Sequence, residues 1–237
     1  MHSRKVVLYI FIYFTFIPML QCYNMDTEHA TLYLGRSNDS LFGFAVEFIK
    51  TETGYELYIG APKENTTVEE TGAVYICNVN QDLCRQFYQG NQNDNNQNVN
   101  SDRSPYYKEM FGSTITYVND TAEVCAYRWT DKSFESQNYW FMPGRCRHVN
   151  KKSSVIADIP LPNKQKYIDE SRQEFMYGMA QAGFSADGNK DDLFILGAPG
   201  MAEWRGGFVV FRENFLEFDD QYDLPIFSYL GKCLMLS

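Results

Sequence analysis

Six cysteines are the side chains of this 237-residue sequence with the clearest chemistry, either as disulfide partners or as metal ligands: Cys22, Cys77, Cys84, Cys125, Cys146 and Cys233. A structural zinc site needs Cys and His ligands at short, regular spacing. The sequence has no CxxC motif, and no His accompanies the cysteine pairs at that spacing. We therefore expect disulfides, no metal site and no cofactor.

The other reactive side chains do not form a catalytic pattern. The histidines are His2, His29 and His148, and none has a neighbouring nucleophile motif or a metal-spaced partner. Carboxylates occur throughout and could pair as a glycosidase requires, but the sequence singles out no pair. We interpret the chain as a protein that is not an enzyme.

One acidic segment, Asp187 to Asp192, has the oxygen-bearing side chains that calcium prefers. The apolar residues Leu193 to Ile195 follow it, so no carboxylate closes the loop. A hairpin turn is the simpler interpretation, and we assign no metal ligand.

Aromatic and Arg side chains in two loops are a better functional signal. Tyr127, Arg128 and Trp129 follow Cys125-Ala126, and Trp204 stands between a Gly-Ala-Pro-Gly turn and the next apolar run. Such residues on loops of a rigid scaffold often dominate binding surfaces. We expect these four residues to bind a ligand. The alternative is that each Trp packs beneath its own loop.

The N-terminus indicates the compartment. A basic start followed by an apolar run to Leu20 is typical of a secretory signal peptide, which we place at residues 1–22. No later segment is long and apolar enough to span a membrane, so we expect a location in the secretory pathway and on the extracellular side of the cell surface. Sequons at Asn38, Asn65 and Asn119 predict glycosylation. The formal charge of −9 argues against a nucleic-acid partner.

An internal repeat indicates the architecture. A Phe-Gly-like step, a strand-like run, a Gly-Ala-Pro-like step and a Gly-led strand occur three times, and a fourth copy begins and stops. Short strands bounded by Gly and Pro predict an all-β propeller with about three blades present. We divide the chain into a signal peptide (1–22), a first blade (24–88), an Asn-rich insertion (89–104), a second blade (105–160), a third blade (161–222) and an aberrant start of a fourth (223–237).

These repeats resemble the FG-GAP repeats of integrin alpha subunits. The residues that carry the resemblance are Phe42 to Val46 with Ile59 to Lys63, Val124 to Ala126 with Gly144 to Cys146, and Gln181 to Ser185 with Gly197 to Gly200. The resemblance implies the disulfides Cys77–Cys84 and Cys125–Cys146. It also implies a seven-bladed propeller, truncated here, with no inserted I-domain and with calcium only in the missing later blades.

The resemblance further implies partners. In the family, residues matching Phe44, Met110 and Phe184 ring a channel mouth that accepts a cationic side chain of the beta subunit, as aromatic faces can. We expect these three residues to contact an integrin beta subunit, and the loop residues to bind an extracellular-matrix or cell-surface protein. Two alternatives stay open: a secreted propeller-scaffold enzyme of the glycosidase or phospholipase type, and a non-functional truncated fragment.

Overall fold

The computed structural model describes residues 30–52, 54–66, 68–79, 83–89, 104, 106–131, 141–150, 156–159, 167–169, 174–190, 193–212 and 215–219. Residues 30–32 belong to a separate unit from residues 33–237, which contain all the strands. The predicted signal peptide, most of the predicted insertion and the predicted start of a fourth blade lie outside the described residues. Within the described ranges, no helix is long and apolar enough to cross a membrane.

Three four-stranded antiparallel sheets form the described fold. The first contains β1 (Val46–Thr51), β2 (Gly54–Ala61), β3 (Ala73–Asn78) and β4 (Leu83–Gln89). The second contains β5 (Thr114–Val118), β6 (Thr121–Ala126), β7 (Arg145–Asn150) and β8 (Ile156–Ile159). The third contains β11 (Ser185–Gly188), β12 (Leu193–Ala198), β13 (Gly207–Arg212) and β14 (Phe215–Asp219).

Two smaller elements connect or interrupt these sheets. The strands β9 (Tyr167–Asp169) and β10 (Glu174–Phe175) pair with each other between the second and third sheets in sequence. A helical turn, α1 (Met201–Trp204), connects β12 to β13 and contains left-handed residues. Strand order follows sequence order in each large sheet, so each is a meander like a propeller blade. The all-β propeller prediction is confirmed, whereas the domain boundaries stay predictions.

The sheets stack face to face through apolar side chains. The first strands of consecutive sheets are neighbours, β1 beside β5 and β5 beside β11. The cluster between the first and second sheets consists of Ile49, Tyr58, Val74, Ile76, Phe111, Ile115, Ala122, Val124 and Ala126. The cluster on the other side of the second sheet includes Cys125, Cys146, Ala182, Phe194, Leu196 and Val209. Each large side chain buried here contributes about 1.5–3 kcal/mol of hydrophobic stabilisation.

The Phe-Gly step has the same backbone geometry in all three units. Gly43, Gly112 and Gly183 have φ of 92°, 89° and 87°. Their N–H groups donate to the carbonyls of Gly60, Cys125 and Gly197, the residues at the Gly-Ala-Pro-like step of the same unit. The residue two positions before each glycine, Leu41, Met110 or Gln181, is also left-handed. The repeated sequence pattern therefore encodes a repeated backbone turn.

Backbone bridges join each unit to the next. Gly72 forms a parallel bridge with Phe111, and Gly144 forms the equivalent bridge with Ala182. A Cβ built on Gly144 would lie 2.3 Å from the carbonyl oxygen of Ala182, so only glycine allows this approach. These glycines hold each Phe-Gly step against the preceding sheet.

Candidate binding surface

Tyr127 and Arg128 form a half-buried cluster with residues of two other loops. The Tyr127 ring meets the Phe184 ring edge-on, with centroids 5.0 Å apart. The Tyr127 hydroxyl and an Arg128 guanidinium nitrogen both lie 3.6 Å from the Met110 sulfur. Two residues expected to bind ligand are thus in contact with two expected to meet a beta subunit. We call Tyr127, Arg128, Met110 and Phe184 the loop cluster.

The Arg128 side chain is a half-exposed cation, and no carboxylate forms an ion pair with it within the described part of the chain. The guanidinium and the Tyr127 hydroxyl both contact the Met110 sulfur, and Arg together with Tyr is typical of binding surfaces. The geometry suits a polar or acidic group of a protein partner.

Trp129 lies in a different environment although it follows Arg128 directly. Its half-buried ring packs against the apolar cluster between the first and second sheets. The guanidinium of Arg145 lies 5.0 Å from the centroid of this ring and 5.0 Å from that of Tyr106. Arg145 also forms a buried 3.2 Å ion pair with Glu109. Trp129 is therefore part of a packed cation and aromatic stack, which fits the alternative that it packs beneath its own loop.

Trp204 ends the helical turn and covers its own loop in a similar way. Its ring lies 3.3 Å from where a Cβ on Gly200 would be, and the backbone N–H of Trp204 donates to the Gly200 carbonyl at 3.4 Å. The side chain stays half-buried. The structure does not bring Trp204 into the loop cluster, and its ligand-binding role stays a prediction.

The three residues expected to contact a beta subunit do not occupy equivalent positions. Phe44 and Phe184 each follow the glycine of a Phe-Gly step and are 54% and 39% exposed. Ser113 holds that position in the second unit, where its hydroxyl donates to the Cys125 carbonyl. Met110 precedes it by three residues and is only 5% exposed. Met110 therefore stands at a different point of the turn from the two phenylalanines, and the contact of all three residues with a beta subunit stays a prediction.

Both expected disulfides are formed. Cys77–Cys84 and Cys125–Cys146 each join directly opposed residues of neighbouring strands, with Cα atoms 4.0 Å apart in both. Cys125–Cys146 is fully buried and lies against Gly183 of the third unit. Cys22 and Cys233 lie outside the described residues.

The three sequons lie on the surface. Asn38, Asn65 and Asn119 are exposed. The Asn65 side-chain oxygen accepts from the Glu70 N–H, and the Asn119 amide donates to the Lys190 carbonyl at 2.8 Å. Glycosylation at these residues stays a prediction.

The acidic segment, which begins in β11 with Asp187, forms a hairpin turn where it is described. Asp187 Oδ1 accepts from the Gly188 N–H at 2.8 Å, and Asn189 Oδ1 accepts from the Leu193 N–H at 3.3 Å. Asp191 and Asp192 lie outside the described residues. The two described oxygen donors are therefore engaged in local turn bonds.

Sequence reasoning missed a group of buried polar residues. Glu109, Glu123, Arg145 and Arg147 are buried, and His148 is half-buried. Burial raises the pKa of the Glu123 carboxyl well above its usual range and lowers the pKa of His148 to about 4. The available signal was an ionisable residue within an apolar strand, as in Thr121–Ala126, but the sequence alone does not tell which face of the strand is covered.

Comparisons with known proteins agree with the repeat pattern. No family model matches the chain. The chain is 32% identical over 196 residues to Integrin alpha-8 of Gallus gallus, covering 79% of this chain and 18% of that protein. It is 29% identical over 215 residues to Integrin alpha-V of Gallus gallus, covering 88% and 20%. It is 31% identical over 204 residues to Integrin alpha-8 of Homo sapiens, covering 81% and 18%.

The chain spans about a fifth of the length of the curated relatives it matches. The matched stretch covers most of this chain. The same glycine turn precedes the first strand of each of its three large sheets. Together these matches and this fold place the chain in the integrin alpha-subunit family.

Proposed function

We propose that this chain is the propeller part of an adhesion receptor that pairs with an integrin beta subunit and binds an extracellular-matrix or cell-surface protein. It acts on the extracellular side of the cell surface, after export through the secretory pathway. The observation that carries the proposal is the loop cluster. It combines the half-buried Tyr127 and Arg128, in the loop after β6, with the exposed Phe184, which follows the glycine of the third Phe-Gly step.

The loop cluster has the character of a binding surface. Its two rings contact each other and its guanidinium contacts the Met110 sulfur, so little side-chain freedom is lost when a partner binds. A protein ligand covers Arg128 and the edge of Tyr127. Phe44, which is exposed on the equivalent turn of the first unit, contributes to the contact with the beta subunit.

Ligand binding is tested by adhesion of cells that express the chain together with an integrin beta subunit to a panel of matrix proteins. Arg128→Ala is expected to weaken adhesion at least about tenfold, as loss of a central interface arginine typically does. Lys50→Ala, which removes an exposed cation from β1, is the matched control and leaves adhesion unchanged. Equal adhesion of both variants would exclude the loop cluster as the ligand site.

Beta-subunit pairing is tested by co-precipitation from the same cells. Phe44→Ala is expected to reduce the amount of beta subunit recovered, while Arg128→Ala keeps it. Phe184→Ala is expected to reduce both adhesion and pairing, since its ring contacts Tyr127. Normal pairing of the Phe44→Ala and Phe184→Ala double variant would contradict the assignment.

One observation bears on the enzyme alternative. Burial and, second, the charge of Asp187 raise the pKa of Glu47, so a carboxylate on the first strand of the third sheet acts on one on the first strand of the first sheet. A carboxylate pair is what a glycosidase needs. Release of sugar from a panel of chromogenic glycosides that is lost in Glu47→Gln would favour this function over the receptor.

A further inference from the structure

One buried side chain joins the two loops that supply most of the loop cluster. Glu109 stands next to Met110 in the loop before β5, and Trp129 stands next to Arg128 in the loop after β6. Arg145 is the first residue of β7. Its guanidinium lies 3.2 Å from the Glu109 carboxylate and 5.0 Å from the centroid of the Trp129 ring. Arg145 thus contacts a side chain from each loop.

Burial makes this connection stiff. The side chains of Glu109 and Arg145 are 0% and 8% exposed, so water screens their attraction little. The guanidinium also lies 5.0 Å from the centroid of the Tyr106 ring, and a planar guanidinium stacks on aromatic rings. A cation held by a carboxylate and two rings has few other positions open to it. The loops that it contacts are therefore held at a fixed separation.

The two loops also have separate backbone anchors. In the loop before β5, the Phe111 N–H donates to the carbonyl of Thr71, in the first unit, at 2.8 Å. In the loop after β6, the Trp129 N–H donates to the carbonyl of Ala126, in its own sheet, at 3.0 Å. Arg145 therefore connects a loop that is anchored on the first unit to a loop that is anchored on the second sheet.

Arg128 spans the same two loops. One of its guanidinium nitrogens lies 3.6 Å from the sulfur of Met110, the neighbour of Glu109. We propose that Arg145, held by Glu109, is a positioning residue that keeps the Arg128 guanidinium in its binding geometry. This inference rests on the proposed function of the loop cluster. Arg145 is buried and acts through Arg128, because a side chain that is already held in place loses less freedom when a protein ligand covers it.

Adhesion of cells that express the chain together with an integrin beta subunit tests this role. Arg145→Lys keeps a charge beside Glu109, but an ammonium group does not stack on two rings as a guanidinium does. This variant is expected to weaken adhesion about fivefold, while co-precipitation of the beta subunit stays unchanged. Arg85→Lys is the matched control, because it removes a guanidinium that lies 5.9 Å from the Phe87 ring in the first sheet, and it leaves adhesion unchanged.

A second variant removes both buried charges at once. Glu109→Gln combined with Arg145→Met leaves no buried charge without its counter-ion, so the chain is expected to fold and to pair with the beta subunit. Adhesion is expected to weaken at least as much as in Arg145→Lys. Normal adhesion of both variants, in cells where Arg128→Ala weakens adhesion, would overturn this inference and leave the proposed function standing. Unchanged adhesion of Arg128→Ala would instead contradict the proposed function.

Combination with Arg128→Ala separates positioning from a general loss of stability. If Arg145 acts through Arg128, the double variant Arg128→Ala with Arg145→Lys is expected to lose about tenfold in adhesion, the same as Arg128→Ala alone. Independent effects would multiply to a loss of about fiftyfold, and that result would overturn the inference.

Hydrogen exchange of the full chain, measured by mass spectrometry, gives a readout that needs no ligand. Arg145→Lys is expected to speed exchange of the Trp129 and Phe111 backbone N–H groups at least about fivefold, because both loops open more often. The peptide that covers β2 is expected to exchange as in the wild type. Unchanged exchange at Trp129 and Phe111, or equal acceleration in β2, would overturn the positioning role.

Discussion

Adjacent residues in one loop have different surroundings in this protein. The Arg128 side chain contacts Met110 within the loop cluster. Trp129 instead packs against the apolar cluster between the first and second sheets, with the Arg145 guanidinium over its ring. A contribution of Trp129 to ligand binding would therefore be indirect. Its packing leads to a stability prediction.

Trp129→Ala is expected to lower the free energy of unfolding by about 2 kcal/mol, less than the roughly 3–5 kcal/mol of a fully buried aromatic residue. The loss arises from the cavity and from the missing cation–π contact with Arg145. Urea unfolding measures it, with Arg128→Ala as the control that changes stability by less than about 0.5 kcal/mol. A Trp129→Ala variant with unchanged stability would return this side chain to the ligand surface.

Glu47 gives a pH prediction. Its pKa is raised above 4.5 by burial first and by the charge of Asp187 second. The stability it contributes is therefore fully present below pH 4.5 and is lost as the pH rises through the raised pKa. We expect Glu47→Gln to match the wild type near pH 4 and to exceed its unfolding free energy progressively toward pH 7. A difference that does not change with pH would show that Glu47 titrates normally.

The resemblance predicted both disulfides correctly, but it did not predict the positions around the Phe-Gly step equally well. Phe44 and Phe184 follow the glycine, as expected, and are exposed. Met110 was grouped with them by the resemblance, whereas the backbone places it two residues before the glycine of its own turn. Its contact with a beta subunit stays a prediction. Buried Glu123 could not be foreseen either, since a lone carboxyl in a strand is usually on the solvent side.

At the level of the strands and turns, the glycines between sheets are the strictest requirement. Gly144→Ala is expected to destabilise the chain through the left-handed φ of 76° and through a clash with the Ala182 carbonyl. Gly43→Ala is destabilised only by its left-handed φ, by about 1 kcal/mol, because nothing lies within 4 Å of its Cβ position. The clash adds about 1–3 kcal/mol at Gly144. Urea unfolding of both variants measures their free energies of unfolding. Equal losses of stability would contradict the close backbone contact between the second and third units.

The two disulfides are expected to differ in stabilisation. Cys125–Cys146 closes a longer loop, 21 residues against 7 for Cys77–Cys84. Chain entropy predicts about 3.3 kcal/mol for the longer loop and about 2.4 kcal/mol for the shorter. The buried position of the longer one against Gly183 increases the difference. Thermal melting under oxidising conditions of two double Cys→Ala variants, one for each disulfide, measures how much stability each bridge contributes. A larger loss of stability in the variant without Cys77 and Cys84 would contradict the prediction.

For the whole molecule, the sequence repeat was sufficient to predict three stacked sheets, because each Phe-Gly and Gly-Ala-Pro-like step encodes the same turn and hydrogen bond. The contacts between units were not predictable in the same way. The edge-on packing of Tyr127 on Phe184 joins residues 57 positions apart, and it depends on how the sheets are rotated relative to one another. Pattern and spacing along one strand carry no information on that rotation.

The outer face of the first sheet gives the last prediction. Val46, Phe48 and Tyr55 are exposed on one side of β1 and β2, and Phe48, 58% exposed, stacks on Tyr55 with ring centroids 4.9 Å apart. Exposed apolar residues on a sheet favour association in water. The purified 237-residue chain is therefore expected to self-associate as its concentration rises.

Phe48→Lys is expected to reduce this self-association, because a charge in the middle of the face must be desolvated when two copies meet. Glu52→Gln makes the same change of one charge at an exposed position just after β1 and is expected to associate like the wild type. Light scattering over a concentration series measures the self-association of the wild type and the two variants. If the wild type stays monomeric throughout, or if both variants behave alike, the apolar face is not what drives association.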